Sequence, residues 1–193
     1  MPEKDIIADR ERALESAYFQ KKDQELIEKL RQRAALENER RQLSEELGNL
    51  DEELIEALQN LGFTRETLPL LHLTPLVQMA WAEGKVTVSE RNLIFEIAER
   101  HGISKDTTAY QKLNEWLENK PSEQFFEHAR TAIYLVNQTL PTEKQAVTTD
   151  DLLTYCMRIA EASGGILGIG NKVSPEEREL LEKIEERLRN KRK

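Results

Sequence analysis

The first 47 residues consist largely of charged and strongly helix-forming side chains. Between residues 5 and 47 the chain has neither proline nor glycine. The pairs Glu25/Lys29 and Glu37/Arg41 stand four residues apart, in the order of charges that stabilises a helix. The pattern predicts one long charged helix, roughly 65 Å in length at about 1.5 Å per residue.

Apolar positions become regular towards the end of this stretch and beyond it. They recur at intervals of four and three residues, which is the spacing of a heptad seam. Gly48-Asn49 interrupts the seam and allows a break there, and a helix of about ten residues should then end at Gly62. We therefore expect a first domain over residues 1–61. The seam consists of Leu43, Leu47, Leu50, Leu54, Ala57 and Leu61, with Leu36 preceding it.

From residue 62 onwards the apolar density rises and short polar connections separate segments with helical periodicity. Stops are expected at His101-Gly102, Lys120-Pro121 and Leu140-Pro141. No segment sustains a period of two, so the fold class is all-α, with a helical bundle over 62–193. The predicted helices lie at about 70–83, 87–101, 106–119, 122–140, 149–163 and 174–190.

One local pattern occurs twice in the bundle. "AWAEG" at 80–84 aligns with "AEASG" at 160–164, and "KVTVSERNLIFEI" at 85–97 aligns with "KVSPEERELLEKI" at 172–184. The second copy carries one insertion, residues 165–171. Each copy reads as a helix that ends at glycine, a tight connection and a new amphipathic helix. Two such hairpins in one domain predict a pseudo-twofold bundle.

Both copies carry the residues of a capping box. Thr87 is followed three residues later by Glu90, and Ser174 by Glu177, so each hydroxyl can accept from the N3 amide while each carboxylate returns to the N-cap amide. Pro175 follows Ser174 at the first helical position, where its missing N–H costs nothing. Capping alone therefore accounts for both glutamates.

The stretch "MAWAEGKVTVSERNLIFEIAERHGIS" (79–104) resembles the TerB-like domains named for tellurite resistance, and the resemblance extends over roughly 68–190. It implies a pseudo-symmetric helical bundle that works in stress-response assemblies near the membrane and is not an established enzyme. It also implies that Glu83, Glu90 and Glu177 hold a divalent cation such as Ca²⁺ or Mg²⁺, which calorimetric titration with these ions would test. Peripheral membrane association is compatible with that setting.

The chain departs from the family pattern at two places. Glu83 stands where the family has aspartate, and Ser163 stands at the matching position of the second copy. A hard cation is normally held by several oxygen ligands, and only three carboxylates are visible here. Metal binding and simple helix capping therefore remain two interpretations of the same glutamates.

A second resemblance lies in the charged helix. "AYFQKKDQELIEKL" (17–30) resembles the inhibitory segment of the mitochondrial ATPase inhibitor, which implies, as an alternative function, a helix that inserts into a rotary ATPase and regulates it. The residues themselves predict a surface for a protein partner or for a second copy, unless they pack back on the bundle. This surface consists of Tyr18, Phe19, Leu26, Ile27 and Leu30.

Charge and composition narrow the class of function. The 193 residues carry a net charge of −8, which does not suit nucleic-acid binding. No apolar run of membrane-spanning length occurs, and the first residues lack the apolar core of a secretory signal. The single Cys156 excludes an intrachain disulfide and fits a reducing cytoplasm. We expect a cytoplasmic protein that is not transmembrane.

Other candidate chemistry is weak. "GGILGIGNK" (164–172) has glycines spaced as in a phosphate loop, but Asn171 replaces the lysine and a helix precedes it, so the loop is either docked on the bundle or an apolar patch for a partner. His72, His101 and His128 share no ligand spacing with one another or with Cys156. Without a catalytic arrangement, the sequence predicts no enzyme.

Overall fold

The computed structural model describes residues 3–47, 52–162 and 173–189, and leaves out the side chains of 3–20, 23, 46–47, 142–143 and 146–147. These described ranges contain helices and no strand, which confirms the all-α fold class. The elements are α1 (Glu3–Leu47), α2 (Glu52–Asn60), a 3₁₀ helix η1 (Leu68–Leu73), α3 (Thr74–Ala80), α4 (Val88–Arg100), α5 (Thr108–Glu118), α6 (Glu123–Gln138), α7 (Thr142–Ala162) and α8 (Pro175–Leu188).

The chain divides into two compact units, residues 1–42 and residues 43–193. Helix α2 belongs to the second unit, where it packs against α6. The sequence predicts that these residues belong to the first domain, over residues 1–61. Among the helices within the described ranges, none is long and apolar enough to cross a membrane.

Helix α3 lies at the centre of the second unit. All seven of its residues, "TPLVQMA", are buried, and it packs against α4, α6, α7 and α8. A helix that carries no charge on any face can be buried on every side, and this segment is the shortest α-helix in the described ranges. The surrounding helices α4, α6 and α8 are amphipathic and expose their charged faces.

The helix predicted over 70–83 is wrong in its extent, because the structure divides this segment. Residues 68–73 form η1 and residues 74–80 form α3, and each element has a proline, Pro69 or Pro75, in its first turn. Proline lacks the amide needed for an interior helical bond, so each proline favours a new start. The hydroxyl of Thr74 donates to the carbonyl oxygen of Leu71 at 2.8 Å across the junction.

The remaining helix boundaries agree with the sequence except at α7. Helices α4, α5, α6 and α8 begin and end within two residues of the predicted positions, whereas α7 begins at Thr142 and not at 149. Pro141 precedes it, and the amide of Lys144 donates to the Pro141 carbonyl at 2.8 Å. The first residues of α7 are mostly polar, so apolar periodicity did not predict that the helix begins before residue 149.

The predicted heptad seam holds only in part. Leu43 and Leu54 are buried, but Ala57 and Leu36 are exposed. Helix α2 buries Leu54, Ile55 and Leu58 instead, a stripe that follows the 3.6-residue period of a helix packed on a globular core. Leu47 and Leu50 lie outside the described side chains.

Candidate functional site

The first candidate feature is the start of α4. The Thr87 hydroxyl accepts from the amide of Glu90 at 3.3 Å, and Glu90 Oε2 accepts from both the amide and the hydroxyl of Thr87 at 2.7 Å. The capping box predicted from the sequence is therefore formed. Glu90 is only 2% exposed, which is unusual for a carboxylate and places this cap inside the bundle.

The start of α8 repeats this arrangement. The Ser174 hydroxyl accepts from the amide of Glu177 at 3.2 Å, and Glu177 Oε2 accepts from the amide of Ser174 at 2.7 Å. Pro175 occupies the first turn, as predicted, and Glu177 is 1% exposed. Both helices thus begin with a buried carboxylate in the same role.

The bundle brings these two helix starts towards one another. Helices α4 and α8 both pack against α7, and the charge of Glu177 is close enough to affect Glu90. Burial raises the pKa of Glu90 above its ordinary value, the hydrogen bonds from Thr87 lower it in part, and the charges of Glu177 and Glu83 raise it further. Glu90 and Glu177, 87 positions apart in sequence, therefore interact electrostatically.

Glu83 takes a different position from the two caps. It is exposed, in the turn after α3, directly before Gly84, whose φ of +81° is a left-handed conformation. Within the described ranges, no group of three or more His, Cys, Asp or Glu side chains is arranged to hold a metal ion. Ser163 lies outside those ranges. The metal site at Glu83, Glu90 and Glu177 stays a prediction, whereas the capping role of two of them is confirmed.

The predicted partner surface on α1 is exposed where its side chains are described. Leu26, Ile27 and Leu30 are 57%, 48% and 57% exposed, and they form what we call the apolar turn. Tyr18 and Phe19 lie within the helix, but their side chains are outside the description. The loop at 164–172 is likewise outside it.

A cleft that the sequence did not reveal lies between η1, the end of α4 and the middle of α7. His72 and His101 reach it together with Asp151 and Tyr155. The two histidines are 29 positions apart and on different elements, so no spacing rule could connect them. His128, by contrast, is exposed on α6.

The single cysteine is not a candidate nucleophile. Cys156 is fully buried on α7 within the main hydrophobic core. Burial raises the pKa of its thiol to about 12, so the reactive thiolate is absent at neutral pH. Its contribution is to packing.

Comparison with known proteins identifies no relative: no protein-family model, no curated protein and no solved structure matches the chain. The likeness to TerB-like domains accordingly depends on the two motifs alone.

Proposed function

We propose that this protein is a non-enzymatic interaction protein of the TerB-like class, which binds a protein partner or a second copy through α1. The observation that carries the proposal is the apolar turn of Leu26, Ile27 and Leu30. These three large side chains are about half exposed or more on a helix whose other positions are mostly charged or polar. Exposed apolar side chains grouped on one helical turn are typical of a helix that docks into a groove.

The flanking side chains keep this turn in helical form without covering it. Gln32 donates to Glu28 at 3.2 Å, and Lys22 lies 4.0 Å from Glu25. Pairs at these spacings stabilise a helix by a few tenths of a kcal/mol each, so the turn is presented on an ordered helix. A partner with an apolar groove would cover the three side chains and leave the charged faces in water.

The two buried capping boxes support the remainder of the proposal, a pseudo-twofold TerB-like bundle. Both helix starts use the same residue types, the same hydrogen bonds and a buried glutamate. We also propose that a divalent cation binds beside Glu90 and Glu177, where it would offset the repulsion between their charges.

The test is the triple substitution Leu26→Gln, Ile27→Gln and Leu30→Gln in the full chain. Glutamine keeps the helix propensity and adds no charge, so it removes only the apolar contact. Losing the burial of three such side chains costs on the order of 3 kcal/mol, or roughly a hundredfold in dissociation constant. We expect the mass measured by light scattering to fall to that of the 22.4 kDa monomer, or capture of the binding partner to be lost.

The matched control is Leu135→Gln with Met157→Gln. These side chains are 42% and 48% exposed, but they lie on α6 and α7 of the bundle. The proposal expects them to leave association unchanged. It is wrong if the triple variant associates as the parent chain does, or if the control variant loses association equally.

A further inference from the structure

The cleft between η1, α4 and α7 has the size and the lining of a small-molecule site. Its volume is about 350 Å³, at the lower end of the range of roughly 300–1,000 Å³ typical of such sites. Pro69, Leu73 and Leu152 supply apolar walls, and the Tyr155 ring forms part of the lining. A few polar groups among apolar walls are the usual composition of a ligand pocket.

The most informative polar group is His72. Its Nδ1 is buried and has no hydrogen-bond partner within the described part of the chain. An unbonded acceptor is less costly than an unbonded N–H, so we assign the ring proton to Nε2 and infer that this nitrogen faces the cleft that His72 lines. His72 then offers the cleft one hydrogen-bond donor.

Two other polar groups of the cleft, Asp151 and Thr148, can serve a ligand only as acceptors, whereas His101 and Tyr155 each carry both a donor and an acceptor. Asp151 is exposed at the rim and, when ionised, can only accept. The hydroxyl of Thr148 already donates to the carbonyl oxygen of Lys144 at 2.9 Å, so only its lone pairs remain for a ligand. The cleft therefore presents a donor on η1 and acceptors on α7.

The shape and charge of the cleft restrict the ligand further. The rings of His101 and Tyr155 meet edge to face, with centroids 6.1 Å apart, a geometry that a third flat ring can extend. An anion would meet the Asp151 carboxylate. The guanidinium carbon of Arg158 lies 6.0 Å from the centroid of the Tyr155 ring that lines the cleft, so its positive charge opposes the attraction of a cation to Asp151, and we infer an uncharged ligand.

We propose that this cleft binds a small, uncharged, planar molecule that accepts a hydrogen bond from His72 and donates one to Asp151. This proposal uses none of the residues of the apolar turn and does not depend on the function proposed for that turn.

Nicotinamide is a suitable probe, because it is flat and neutral and carries both a donor and acceptors. Ligand-observed saturation-transfer NMR on the full chain should show saturable binding, with a dissociation constant on the order of 1 mM for a ligand of this size. Nicotinate, which has the same shape but a negative charge, should bind at least about fivefold more weakly.

Two substitutions locate the binding. His72→Phe keeps a ring in place and removes the donor, and Asp151→Ala removes the acceptor from an exposed helical position; each should weaken nicotinamide binding about fivefold. Glu161→Ala removes another exposed carboxylate of α7, one that does not line the cleft, and should change nothing. Circular dichroism establishes whether each variant is folded. If His72→Phe does not fold, the binding measured with Asp151→Ala tests the proposal by itself.

Three results would overturn the proposal. The first is the absence of saturable nicotinamide binding in the millimolar range. The second is unchanged binding by the folded Asp151→Ala variant. The third is nicotinate binding as tightly as nicotinamide, which would assign the cleft to anions.

Discussion

At the scale of single residues, His72 shows how burial sets a protonation state. Burial lowers the pKa of His72 below its ordinary value of 6.5, and the nearby charge of His101 lowers it further. The folded protein therefore binds fewer protons at this ring than the unfolded chain does. The stability that depends on the neutral ring is complete above pH 6.5 and is lost as the pH falls through that value towards the lower folded pKa.

A measurable prediction follows for His72→Phe. The free energy of unfolding, from urea titrations at pH 7.5 and pH 5.5, should fall with pH more steeply in the parent chain than in the variant, because phenylalanine does not titrate. The other titrating groups are common to both chains, so the difference between them reports His72 together with its coupling to His101. Equal losses in the two chains between these pH values would contradict this account.

Residues whose role is set by near neighbours were the ones that the sequence could predict. The bonds between Thr87 and Glu90, and between Ser174 and Glu177, join positions three apart, so the capping boxes could be read directly. The interaction of Glu90 with Glu177 depends on how the helices pack, and in the sequence only the repeated motif indicated that the two helix starts are related. No local sequence pattern predicted that His72 and His101 line the same cleft.

At the scale of elements, the connection between α3 and α4 depends on Gly84. Its φ is +81°, and a Cβ built on it would meet nothing within 4 Å, so the backbone conformation alone disfavours a side chain there. Gly84→Ala should lower the free energy of unfolding by about 1–2 kcal/mol. Gly84→Asn should cost less, because asparagine adopts left-handed conformations more readily. Urea unfolding of both variants provides the measurement.

The order of these two variants distinguishes the cause of the loss. Backbone strain predicts that alanine is worse than asparagine, whereas steric exclusion would make the larger asparagine worse. If both variants match the parent chain in stability, the left-handed conformation does not contribute as described.

Helix starts with a capping side chain were predicted closely, and starts set by proline were not. Ser122 and Thr107 cap α6 and α5 by accepting from amides three residues ahead, within two residues of the predicted starts. The divided segment at 68–80 and the early start of α7 after Pro141 both arise at prolines. Proline permits a new helix as readily as it ends one, so composition alone could not choose between these outcomes.

At the scale of the whole molecule, the residues that form the hydrophobic core all belong to one unit. The core cluster runs from Leu54 to Leu188, entirely within residues 43–193. Of the side chains described in residues 1–42, none is buried. Burial of apolar surface is the dominant stabilising contribution in folding, so the stability of the second unit should be carried by its own residues.

This distribution predicts that a fragment of residues 43–193 folds without the first unit. It retains Leu43, which is fully buried, and every residue of the core cluster. We expect a cooperative urea transition with a free energy of unfolding within about 2 kcal/mol of that of the full chain, since no core contact is removed. Circular dichroism during urea titration measures it. A fragment that unfolds without a cooperative transition would mean that residues 1–42 contribute to the fold itself, and α1 would then be a structural element before it is a binding surface.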